Sequence, residues 1–170
     1  KQSNILINNQ SIIVDIKKIR LDKDYELDDL NGNLNLKNQK LMNGKLVGKF
    51  SSDKRLEFTV TNDGNNKITT LFMDYAKPIV SRYKFIKGFD GGVLDFYSSK
   101  TGDKSNSTLK IYDFKLKELP LLTKILTLAS LQGIADILSG EGIRFDEFEM
   151  NFRNEKTTMK IDEIYAIGPA

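Results

Sequence analysis

Residues 55–73 read RLEFTVTNDGNNKITTLFM, and few folds accept that string. Leu56, Phe58 and Val60 alternate with Arg55, Glu57 and Thr59, the period of a strand with one face buried. Asp63-Gly64, followed by asparagines, supplies residues that tolerate positive φ, so NDGNN predicts a hairpin turn and KITTLFM its partner strand. The pattern recurs. NGKLVGKF puts Leu46, Gly48 and Phe50 on one side. GGVLDFYSSK and STLKIYDFKLKEL are joined by TGDKSN, and GIRFDEFEMNFRN and TTMKIDEIYAIG by a turn at NEK. SIIVDIKKIRL opens the series. Long antiparallel strands with short turns and few helices predict a β-rich α+β architecture in one domain over residues 1–170.

Three segments interrupt the strands. LDKDYELDDLNGN is polar and reads as a turn; it lacks the order of a calcium loop. GFDGG also reads as a turn, since it has neither the glycine spacing nor the lysine of a phosphate loop. Asp74 is placed to N-cap a helix over YAKPIVSRYKFIKG, with Ile79, Val80, Tyr83 and Ile86 on one face and Gly88 at its stop.

The most apolar stretch runs from Leu119 to Ser139. It is nearly long enough to span a bilayer, which takes about 20 residues, but Lys124, Gln132 and Asp136 interrupt it. Its apolar residues fall on two stripes: Leu121, Leu122, Ile125, Leu126 and Ala129, then Leu131, Ile134, Ala135 and Leu138. That spacing predicts two amphipathic helices, Pro120 to about Ser130 and Leu131 to about Leu138, and no transmembrane segment. The stripes either pack on the sheet or meet a membrane surface, although the polar face lacks the Lys/Arg excess of surface helices.

Composition narrows the chemistry. Cysteine and histidine are both absent, which removes thiolate nucleophiles, disulfides and the commonest general base and metal ligand. No metal or cofactor is expected. The net charge is +3, and basic and acidic residues interleave without a Lys/Arg block, so no nucleic-acid partner is expected either. Glu147 and Glu149 share a strand face, as a carboxylate pair for glycan hydrolysis would, with Asp146 beside them; the competing reading is a solvated face opposite Phe148 and Met150.

Three strands change phase by one residue. Ile12, Val14 and Ile16 give way to Ile19 and Leu21. Leu109 and Ile111 face one way, Tyr112, Phe114 and Leu116 the other. Ile143 and Phe145 are followed by Phe148, Met150 and Phe152. Either each strand bulges within an ordinary core, or a long curved sheet keeps its concave face apolar for lipid tails.

From Asp74 onward the order of motifs resembles the C-terminal region of the AsmA-like superfamily of bacterial envelope proteins, in its alphaproteobacterial form. A helix precedes GGVLDF (Gly91 to Phe96). A strand leads into Pro120 to Leu122, a joint spans Leu128 to Gly133, a turn and strand run from Leu138 to Phe145, and the end reads Gly168 to Ala170. Residues before Asp74 agree only in strand character. The resemblance implies a long antiparallel sheet, U-shaped in section, with an apolar groove and short amphipathic helices packed on it. It further implies a piece of a longer periplasmic protein, tethered to the inner membrane, that moves phospholipid between inner and outer membranes and works with membrane proteins at either side. It carries over no catalytic residue; Ser130, Gly133, Ser139, Gly140 and Gly142 are read as turn and joint positions. The lipid-contacting candidates are Leu109, Ile111, Phe114, Leu116, Phe145, Phe148, Met150 and Phe152. The alternative is a structural cap or protein-docking domain with no lipid.

Overall fold

The computed structural model of the chain describes residues 9–50, 53–82, 88–117 and 142–168. Its strands are β1 (Gln10–Arg20), β2 (Glu26–Lys37), β3 (Lys40–Phe50), β4 (Lys54–Asn62), β5 (Asn66–Met73), β6 (Phe89–Thr101), β7 (Lys104–Leu116), β8 (Ile143–Glu155) and β9 (Thr158–Ile167). They form one nine-stranded sheet in sequence order, each strand antiparallel to the next, and the sheet does not close. Tight turns account for the β2–β3, β4–β5, β6–β7 and β8–β9 pairs, because an antiparallel neighbour is the nearest partner a strand can reach after one.

The two ends of the sheet differ. At one end lie four tight turns, after β2, β4, β6 and β8. They use left-handed backbone at Asn38 (φ 50°), Gln39 (63°), Gly64 (98°), Gly102 (57°) and Lys156 (53°). Asp63 stabilises its turn by accepting from the backbone N–H groups of Asn65 and Asn66 at 2.9 and 2.7 Å. The longer connections gather at the opposite end.

There the β5–β6 connection crosses the sheet. It contains one turn of helix, α1 (Lys77–Val80). The Ala76 N–H donates to the Gly92 carbonyl at 2.7 Å, and Lys77 pairs with Asp90 at 2.7 Å, anchoring the segment to β6. On the other side Arg82 donates to the Leu21 carbonyl, and the Tyr75 ring meets Tyr25 and Phe50 edge-on, each at 6.2 Å. Beneath it lies the core: Leu27, Phe50, Met73, Ala76, Val80, Phe89, Leu94, Ile111, Phe114, Ile143 and Phe145, with Ile19 and Leu21 packed against it.

Several expectations change. The helix expected over residues 75–88 has only one described turn, and Asp74 does not cap it: its carboxylate accepts from the Arg55 N–H at 3.1 Å, holding β4 to β5, and the N-cap is Ala76. Residues 26–33, read as turn, belong to β2. Their many Asp and Asn residues disfavour a strand locally, but Leu27, Leu30, Leu34 and Leu36 give it an apolar face, and pairing on both sides overrides propensity. GFDGG is no turn either. Phe89 to Gly92 open β6, and Gly91 (φ 76°) and Gly92 (φ 81°) kink the strand without reversing it. The amphipathic helices expected over residues 120–138 lie outside the described residues, as do Tyr83, Ile86, Ser130, Gly133, Ser139, Gly140, Pro169 and Ala170.

Candidate functional site

In an antiparallel ladder, directly opposed residues point to the same face. Following register from strand to strand therefore draws out the faces. One row reads Gly48, Leu56, Met73, Leu94, Ile111, Phe148, Ala166. The next, toward the tight turns, reads Val14, Gly32, Leu46, Phe58, Leu71, Phe96, Leu109, Met150, Ile164. A third runs from Ile12 and Leu34 through Val60, Thr69, Ser98 and Ser107 to Phe152 and Ile161. The first two rows make this face apolar, from edge to edge in the second, and the third begins its change to polar residues toward the tight turns.

The opposite face is mainly polar, with Ile13, Phe72, Tyr97 and Ile167 among its residues, and is tied together by cross-strand pairs. Thr59 and Thr70 share a hydrogen bond of 2.5 Å, Thr108 donates to Asn151 at 2.7 Å, and Arg55 lies 4.9 Å over the Phe72 ring. Arg153 grips Asp162 through two nitrogens at 2.6 and 2.8 Å.

The phase changes seen in the sequence keep the apolar residues together. Asp113 has φ 49°, opposite Gly92 in β6, and the β6–β7 and β7–β8 registers are unchanged on either side of this kink. The left-handed residue advances the strand by one side-chain position, so Phe114 and Leu116 do not face away from Leu109 and Ile111; all four meet one cluster. Asp29 (φ 48°) does the same in β2, where the register with β3 shifts between Asp28 and Asn31. A strand that would have passed between two layers instead stays on one.

All eight candidates lie on or beside the apolar face, in two environments. Ile111, Phe114 and Phe145 are core residues, 6%, 5% and 4% exposed. The Phe114 ring stacks on Phe89 and Phe145 with centroids 5.3 and 5.1 Å apart, and protein covers these positions. Leu109, Phe148 and Met150 are half-buried on the open part of the face, Leu116 is half-buried beside the core, and Phe152 is buried near the tight-turn end. Register adds residues that local pattern did not single out, Leu30, Leu34, Leu71 and Phe96, and joins to them Phe58. The i, i+2 spacing of Leu34 and Leu36 was the available signal in β2, masked by the surrounding asparagines.

The carboxylate pair has a structural place. Glu149 accepts from Lys110 at 2.7 Å, from the Tyr165 hydroxyl at 2.6 Å and from Asn151 at 2.8 Å. These donors hold its carboxyl down at about 2, and the same contact pushes the Tyr165 phenol up to about 12. Glu147 lies on the same face, 3.3 Å from Tyr165 and 3.9 Å from Lys110. A carboxylate so committed to its ionised form joins β7, β8 and β9. Because its pKa is lower in the folded chain, Glu149 favours the folded state above the usual carboxylate range, and that contribution fades as pH falls toward 2. Carboxyl-carbon NMR should show Glu149 titrating near 2 in the native protein; a midpoint above 4 would rule out the Lys110–Tyr165 clasp.

Among the described residues no helix is long and apolar enough to cross a membrane. Compared with known protein families, with curated proteins and with solved structures, the chain matches none.

Proposed function

We propose that the sheet is a segment of a lipid-carrying conduit of the AsmA-like kind. It would lie in the periplasm, tethered to the inner membrane, and pass phospholipid between inner and outer membranes along its apolar face. The observation that carries this reading is the apolar face itself: rows continuous across seven and nine strands, with core packing and the α1 crossing at one end only. The sheet's edges point the same way. Ile12 and Ile16 on β1, and Ile161 and Ile164 on β9, are 41% to 53% exposed on the same face, so its apolar surface runs out to both unpaired edges. Curvature into a groove is supported by one cluster that draws residues from β1 and from β8. In a flat sheet those strands would lie about 33 Å apart.

The energetics are simple. A lipid tail loses about 0.8 kcal/mol for each methylene moved into water. An apolar trough offsets that loss while the head group stays wet. Such transfer is passive, needing no nucleophile and no metal from this chain.

A second reading, a cap or docking domain, draws on the stacked Phe89–Phe114–Phe145 end, where the face is closed by protein. Photo-crosslinking in cells separates the two. Phe96 and Tyr97 are successive aromatics of β6 that face opposite sides; Phe96 is half-buried on the apolar face and Tyr97 is 45% exposed on the polar one. A benzophenone side chain at Phe96 should capture phospholipid and the same group at Tyr97 should not. Adducts at neither site, with normal expression, reject the conduit; protein adducts at Phe96 select the docking reading.

A further inference from the structure

Lysines of the polar face sit beside carboxylates: Lys45 is 2.7 Å from Glu57, Lys110 is 2.7 Å from Glu149, and Lys49 is 3.5 Å from both Asp29 and Asp53. At the tight-turn end of the apolar face the arrangement is different. The last row there reads Asn62, Lys67, Lys100, Ser105, Asn154. Lys67 and Lys100 are directly opposed in the β5–β6 ladder, on the face that carries Thr69, Ser98, Leu71 and Phe96. Like charges in that position weaken a ladder. Among the described residues, Lys67, Lys100 and their neighbour Lys40 make no ion pair. The adjacent acid, Asp63, is committed to the backbone of its own turn, which holds its carboxyl below the usual range.

These three lysines line one recess of about 450 Å³, with Leu41, Met42 and Asn62 beside them. Along the face the surface grades from leucine and phenylalanine, through threonine and serine, to lysine. That is the polarity sequence of an anionic amphiphile. We infer that Lys67 and Lys100, with Lys40, hold the phosphate-bearing head of an anionic phospholipid whose chains lie over Leu71 and Phe96. This rests on the lipid reading above and deepens it: the face selects by head-group charge, and the head lies at the tight-turn end.

The test uses the whole chain, incubated with vesicles of equal phosphatidylglycerol and phosphatidylcholine content. The protein is then separated and its bound lipid identified by mass spectrometry. The native chain should carry phosphatidylglycerol over phosphatidylcholine by on the order of tenfold. Lys67→Gln with Lys100→Gln should abolish the preference and leave phosphatidylcholine uptake intact. The variant relieves a like-charge contact, so its thermal melt should not fall. Lys23→Gln with Lys54→Gln removes the same charge from exposed positions at the other end and should keep the preference. A preference that survives the first variant, or falls equally in the second, overturns the site. Equal uptake of both lipids by the native chain overturns it while the conduit stands; uptake of neither overturns both. Inorganic phosphate that binds the lipid-free chain through the same lysines, with no phosphatidylglycerol preference, assigns a free-oxyanion site and overturns the lipid one.

Discussion

Phe114→Ala should destabilise the fold by about 3–5 kcal/mol, the range for truncating a fully packed aromatic. Phe114 is 5% exposed and stacks between Phe89 and Phe145, rings contributed by the strands on either side of β7. Removing it deletes two ring contacts and leaves a cavity that the kinked backbone at Asp113 is poorly placed to close. The loss should appear as a lower urea midpoint with an unchanged slope. Ile13→Ala is the control: Ile13 is 84% exposed on the edge strand and should cost less than about 0.5 kcal/mol. Equal losses for the two would mean that the aromatic stack does not hold this end together.

Gly92→Ala should cost about 2–5 kcal/mol, from left-handed strain of roughly 1–2 kcal/mol and overpacking of roughly 1–3 kcal/mol. Gly92 has φ 81°, and a methyl group there would lie 3.0 Å from the Phe89 ring, 3.2 Å from Ile111 and 3.2 Å from Phe114. Its carbonyl also takes the Ala76 N–H, so a shift at the kink loosens the segment that covers the core. Gly102→Ala separates the two terms. Gly102 has φ 57° with nothing within 4 Å of its added methyl, so it should lose only the strain, about 1 kcal/mol. Equal losses at the two glycines would show that the kink is not packed as described. A Gly92 variant that keeps native stability would move the phase correction elsewhere.

The alternation of RLEFTVTN and its partners, with Asp-Gly and Asn-rich turns between them, determined the antiparallel strands and their hairpins, while the pairing of β5 with β6 and of β7 with β8 across long connections was decided by the tertiary structure. Strand identity failed where local chemistry opposed it. In β2 the aspartates and asparagines read as loop, and only pairing with β1 and β3 reveals the leucines as one face. In GFDGG the glycines read as reversal, because a sequence shows that positive φ is affordable there but not whether the chain turns back or merely kinks.

The candidate site divides in the same way. Residue type made Leu109, Phe148 and Met150 apolar-face candidates from the sequence alone. Their separation from Phe114 and Phe145, which lie in the core, was decided by packing into one cluster with Phe89, Ala76 and Val80, residues far apart in the chain. The phase breaks were visible as breaks, but their meaning was tertiary. A left-handed residue at Asp113, matched by Gly92 on the neighbouring strand, returns the side chains to the face they would otherwise have left. The opposition of Lys67 and Lys100 was likewise invisible, because 33 residues separate them and only the β5–β6 register brings them face to face. Period-two patterning is written within each strand, so the sequence by itself determined strands and an amphipathic sheet. Which end is sealed, which stays open and where the unpaired charge collects depend on register and crossing, and only the tertiary structure decided them.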